Sequence, residues 1–124
     1  MDKVVHFEIP TENLERGQAF YTSVFGWTTN SMPGMGYVLV GTVAVDDRHM
    51  PKEPGAINGG MLKRQPPIVA PVITIQVASI EESAKKIQAA GGSLVREKQA
   101  VGDMGFSAYF KDSEGNVLGL WQTA

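Results

Sequence analysis

Residues 4–27 read VVHFEIPTENLERGQAFYTSVFGW. Val4 to Pro10 are dominated by β-branched and aromatic residues, which predicts a strand. On a pleated strand Val5, Phe7 and Ile9 point one way, and His6 and Glu8 point the other. Asn13 stands where a helix N-cap is expected. Leu14, Gly17, Phe20, Tyr21, Val24 and Phe25 follow as a stripe at helical spacing. Gly26 is placed to stop the helix in the left-handed conformation. The stretch therefore specifies a strand, a short connection and an amphipathic helix, with one apolar strand face for the helix to cover. The histidine and the carboxylate lie on the other face.

The same grammar returns further along. The segment VITIQV, residues 72–77, predicts a second strand. Ser79, with Glu82 three residues on, forms a capping box. Ile80, Ala84, Ile87 and Gly91 make the stripe, and Gly91-Gly92 ends the helix. His6, Asn13, Leu14 and Gly26 match Val72, Ser79, Ile80 and Gly92 at a constant offset of 66. Towards the module ends the offset reads as 60, pairing Gly55, Gly59 and Met61 with Gly115, Gly119 and Trp121. Strand-like segments follow each helix. After the first come YVLVGTVAV and GAINGGMLK; after the second come GSLVRE, FSAYFK and NVLGLW. The chain thus reads as one domain, 1–124, built from an internal repeat. Module one spans 1–63, a proline-rich linker 64–71 and module two 72–124; paired prolines punctuate secondary structure.

Composition narrows the function. At 124 residues with 43% hydrophobic content, the chain can build one core without staples. A net charge of -2 leaves no footprint for nucleic acid or anionic lipid. There is no cysteine, hence no disulfide, zinc-thiolate site or thiol nucleophile. No apolar run approaches membrane-span length, and MDKVVHF lacks an apolar signal core. The expectation is a cytoplasmic protein. SMPGMGY, residues 31–37, reads as a turn, since phosphate-loop spacing and context are missing. Asn58-Gly59-Gly60 reads as a bulge or a close backbone approach. No Ser-His-Asp arrangement is present.

Three segments carry a family resemblance: residues 4–27, ITIQVASIEESAKKIQAAGG and YFKDSEGNVLGLWQ. Together they cover about half the chain. In order and spacing they resemble the vicinal oxygen chelate superfamily, the glyoxalase, bleomycin-resistance and extradiol-dioxygenase group. The resemblance implies an α+β fold of two tandem βαβββ modules. Their curled mixed sheets would enclose a cavity, with the helices on the outer face. It also implies a homodimer.

In metal-dependent members of that group, two first strands and two last strands supply four ligands. By the resemblance, His6 stands at one first-strand position and Val72 at the other. The 60-residue offset puts Gly59 and Gly119 at the last-strand positions. Three of the four carry no ligating atom, so no metal or other cofactor is expected. A divalent ion retaining His6 as its one family ligand is the alternative. Asp46, Asp47 and His49, in the segment VDDRHMPKEP, read as a solvated loop able to reach inward. The expected ligand-binding set is His6, Glu8, Met61, Val72, Thr74, Gly119 and Trp121, mostly apolar with a few polar groups. The expected function is binding of a small organic molecule, with no catalytic residue. A glyoxalase-like lyase, isomerase or dioxygenase is the alternative, followed by a metal-free acid–base enzyme and a structural dimer module.

Overall fold

A computed structural model of the chain describes residues 1–124. The chain divides into two compact units. One comprises His6–Pro71; the other comprises Val72–Ala124 together with Met1–Val5.

In the first unit, which β1 enters at His6, the elements run β1 (Lys3–Thr11), α1 (Leu14–Phe25), β2 (Thr28–Met32), β3 (Tyr37–Gly41) and β4 (Asn58–Lys63). The strand order is β2-β3-β4-β1. β1 and β4 are parallel, while β2/β3 and β3/β4 are antiparallel. Helix α1 starts because the Asn13 side chain accepts from the Arg16 amide at 2.9 Å. It ends at Gly26, whose φ of 72° needs no Cβ to be accommodated. Gly17 lets the helix lie close to β1: a Cβ there would fall 2.8 Å from Thr11 Cγ2. Val38, Val40 and Met61 form the core beneath α1, with Phe7, Ile9, Leu14, Tyr21 and Trp27 against them.

In the second unit the order along the chain is β5 (Val72–Gln76), α2 (Ile80–Ala89), β6 (Ser93–Val101), β7 (Gly105–Lys111) and β8 (Val117–Thr123). The strands lie β5-β8-β7-β6, with β5/β8 parallel and the other pairs antiparallel. Ser79 Oγ accepts from the Glu82 amide at 3.2 Å, and the Gln122 side chain takes the Ile80 amide at 2.9 Å. Gly91, at φ 97°, carries the chain out of the helix. Val77, Ile80, Ala108, Phe110 and Leu120 make the core under α2. Each unit is thus a βαβββ module with one helix over one sheet face.

The strand bounds differ from the sequence reading in three places. β2 is an additional strand, polar and largely exposed at the sheet edge, so no apolar pattern marks it. β3 stops at Gly41, before the end of YVLVGTVAV. There the Asn58 carboxamide oxygen takes the Thr42 and Val43 amides at 2.7 and 3.1 Å, in place of ladder partners. β6 runs on to Val101, with two register shifts along its pairing with β7. The proline-rich segment is anchored: Gln65 and Ile68 exchange backbone hydrogen bonds around a cis Pro66-Pro67 bond, and Ile68 is buried.

Candidate functional site

Strand register decides which side chains share a face. In the first unit His6 pairs with Asn58, Glu8 with Gly60 and Pro10 with Leu62. Tyr37 pairs with Leu62, and Leu39 with Gly60. These residues occupy the face opposite α1. His6 Nε2 lies 2.7 Å from the Tyr37 hydroxyl, with the two rings nearly parallel at 16°. Tyr37 reaches His6 by lying across β4. A Cβ at Gly60 would collide with its hydroxyl and ring, so only glycine leaves the ring this seat. Glu8 is 5% exposed on the same face. Burial pushes the His6 pKa below its ordinary value, and the negative charge of Glu8 opposes that shift. At neutral pH the imidazole is therefore uncharged, offering one donor and one acceptor nitrogen. One nitrogen is committed to Tyr37.

In the second unit Thr74 pairs with Gly119, and Gln76 with Trp121. Tyr109 faces Gly119, and Ser107 faces Trp121. Leu120 and Ile75 point into the core under α2. Val72, Thr74, Gly119 and Trp121 therefore share the face opposite α2, by alternation along each strand. Val72 and Thr74 are buried. Thr74 leans over Gly119, where an added Cβ would stand 2.6 Å from Thr74 Oγ1. Arg96 pairs with Tyr109 across β6 and β7, its guanidinium carbon 5.5 Å from the ring centroid.

Met61 departs from the expected set. It is fully buried in the core under α1, on the opposite sheet face from His6 and Glu8. The cause is a one-residue error in the offset of the last strands. Glu8 and Thr74 correspond at offset 66, and their parallel partners are Gly60 and Gly119. The structural offset on β4 and β8 is therefore 59, and Met61 corresponds to the core residue Leu120. Strand side chains alternate, so a slip of one exchanges the faces. By the same correction Gly60, and not Gly59, shares the face of His6. A Cβ at Gly59 would instead meet the Phe7 ring and carbonyl.

The loop candidates are exposed. Asp46 Oδ1 accepts from the Arg48 and Met50 amides at 2.8 and 3.0 Å, which commits it to its own turn. His49 takes a φ of 61° in that turn. No three His, Asp or Glu side chains group to hold a metal ion. Tyr37, Tyr109 and Arg96 were not singled out in the sequence. For Tyr37 a signal existed: in YVLVG, Val38 and Val40 alternate into the core and leave Tyr37 and Leu39 opposite.

The model of the bleomycin resistance protein-like N-terminal family matches residues 3–42. A Mycobacterium bovis protein named as a glyoxylase, CFP32, is 30% identical over 122 residues, covering 93% of this chain and 43% of that protein. The anthracycline biosynthesis protein DauV of a Streptomyces species is 30% identical over 133 residues, covering 94% of this chain and 45% of that protein. The chain thus spans less than half the length of these relatives. Among solved structures, a Streptomyces coelicolor methylmalonyl-CoA epimerase in complex with 2-nitronate-propionyl-CoA superposes with a TM-score of 0.66 at 15% identity, over 98% of this chain and 97% of that one. A hypothetical protein of Bacillus halodurans gives 0.66 at 16% identity, over 99% and 95%.

Proposed function

The chain belongs to the vicinal oxygen chelate superfamily, and from that premise we propose that it binds a small organic molecule without using the superfamily's divalent metal. The observation that carries this reading is the engagement of His6. Its Nε2 is held by Tyr37 at 2.7 Å, and the neighbouring last-strand position on that face is Gly60. On β1 and β4 this leaves His6 and Glu8 as the imidazole and carboxylate donors. A hard divalent ion takes several oxygen or nitrogen ligands at once. At the matching positions of the second unit, Val72 and Gly119 offer none. This donor set does not fit a family-type catalytic metal.

In this role His6 and Tyr37 orient a ligand by hydrogen bonding, and Glu8 favours a donor group on it. In the second unit, Trp121 offers stacking area to an aromatic molecule on that unit's own face. We further propose a homodimer, as the resemblance implies, in the cytoplasm. No helix is long and apolar enough to cross a membrane. A glyoxalase-like lyase, isomerase or dioxygenase is the competing reading, and the relative named as a glyoxylase supports it.

The test combines metal analysis with a binding screen. Protein purified without a histidine tag is assayed for bound nickel, zinc, iron and manganese. It is then screened against aromatic small molecules by tryptophan fluorescence, anthracyclines included because one relative is named for their biosynthesis. The expected result is no stoichiometric metal, with binding weakened by His6→Ala and Tyr37→Phe. Stoichiometric metal lost on His6→Ala would transfer the function to the competing reading.

A further inference from the structure

We propose that the sheet face opposite α2 is an oxyanion-plus-aromatic subsite, and that its ligand is an extended aromatic carboxylate. The inference rests on the binding role proposed above and adds the chemical class. Two cross-strand rows build the subsite. Arg96, Tyr109, Gly119 and Thr74 form one row through successive pairings. Gln99, Ser107, Trp121 and Gln76 form the next.

Arg96 is half-buried and held over Tyr109 by its ring contact. Arg96 takes no part in the ion pairs Arg64–Glu12, Lys85–Glu82 and Lys98–Glu81. The strand positions of this face carry Arg96 and Lys111 but no Asp or Glu. Neighbouring acids are directed elsewhere. Glu97 lies on the α2 side beside Glu81 and Lys98. Asp112 is turned into its own loop, accepting from the Glu114 and Asn116 amides at 2.8 and 2.9 Å. A planar guanidinium parked on an aromatic ring, with no acid on the strand face of its own unit, is arranged to receive a carboxylate with both oxygens.

The aromatic half is equally constrained. A Cβ at Gly105 would fall 2.7 Å from Trp121 Cζ2 and 3.0 Å from Cη2. The far end of the indole therefore reaches over β7 to Gly105, and the half-buried ring offers aromatic surface there. Residues 105 and 109 on one strand are about 13 Å apart at the usual rise. The indole and the guanidinium thus suit a ligand of several fused rings with the acid at one end. Thr74 Oγ1, leaning over Gly119 in the same row as Arg96, adds a hydroxyl for a second polar group.

The experiment uses anthracene-2-carboxylate and its primary amide, compared by calorimetry on the full chain. The acid is expected to bind at least tenfold more tightly than the amide. In Arg96→Gln that preference should collapse to within about twofold, and Arg96→Lys should restore part of it. Trp121→Leu should weaken acid and amide alike, leaving their ratio unchanged. Circular dichroism confirms the fold of each variant. Equal binding of acid and amide by the parent, or an acid preference that survives Arg96→Gln, overturns the subsite. If neutral aromatics bind through His6 and Tyr37 while the acid gains nothing, this inference fails and the binding role stands. If no compound of either class binds, both fail.

Discussion

The two units share one scaffold and differ on one face. Under α1 and α2 the correspondence is close: Met61 and Leu120 occupy the same register position on β4 and β8, and each belongs to the core of its unit. Both helices are capped by a short polar side chain accepting an amide three residues on. On the opposite faces Gly60 and Gly119 still correspond, but the side chains around them do not. The first unit sets a buried carboxylate and a tyrosine-bound imidazole beside a glycine. The second sets a valine and a threonine on its first strand, with an arginine stacked on a tyrosine. A helix-covered face must be filled to close packing density, which leaves few solutions. The other face is limited only by polar satisfaction, so its chemistry can diverge while the scaffold persists.

The sharpest way to break this comparison is to delete the paired core residues. Met61→Ala and Leu120→Ala are each expected to cost about 2–5 kcal/mol in chemical denaturation, with nearly equal losses. A Met61→Ala loss below about 1 kcal/mol would return Met61 to the face of His6 and Glu8. Next in size is Gly60→Ala, which drives a methyl into Tyr37. Overpacking predicts a loss of about 1–3 kcal/mol. Combining it with Tyr37→Ser should recover most of that loss in a double-mutant cycle. Simple additivity would mean that Tyr37 does not rest on Gly60.

The helix caps come next. Asn13→Ala and Ser79→Ala should each lose about 1 kcal/mol, measured by thermal unfolding. A much smaller loss for Ser79→Ala would show that the Gln122 bond to the Ile80 amide supports the start of α2 without it. The smallest effect separates the polar faces by pH. The folded His6 pKa is depressed, so protonation is easier in the unfolded chain. The stabilisation from a neutral His6 is complete above about pH 6.5. It falls away as pH drops through that value towards the folded pKa. Imidazole NMR should place the His6 midpoint below 6.5, and His6→Phe should flatten this part of the stability profile. A midpoint above 6.5 would mean that Glu8 outweighs burial.

The sequence reading succeeded where information is local. Asn13, Gly26 and Ser79 mark helix ends through hydrogen bonds and φ values set within a few residues, and each acts as read. It failed where information is carried between strands. An offset of 60 aligned Gly59 with Gly119 by residue type, and register shows 59. Residue identity tolerates such a slip; alternation does not, so Met61 changed faces. Tyr37 and Arg96 were missed for a related reason, although alternation in YVLVG marks the face of Tyr37. Each is defined by the partner it reaches across strands, and sequence spacing does not encode that partner. β2 escaped because an exposed edge strand has little apolar alternation to detect.

By itself, then, the sequence determined the repeated strand–helix grammar, the apolar stripes and the family resemblance, because periodicity and capping are short-range properties of the chain. Only the tertiary structure decided which side chains meet. Strand pairing brought His6 against Tyr37 over Gly60, thirty-one residues apart, and laid Arg96 on Tyr109. Register, with a side-chain period of two, turns each single-residue choice into a choice between the core and the opposite face.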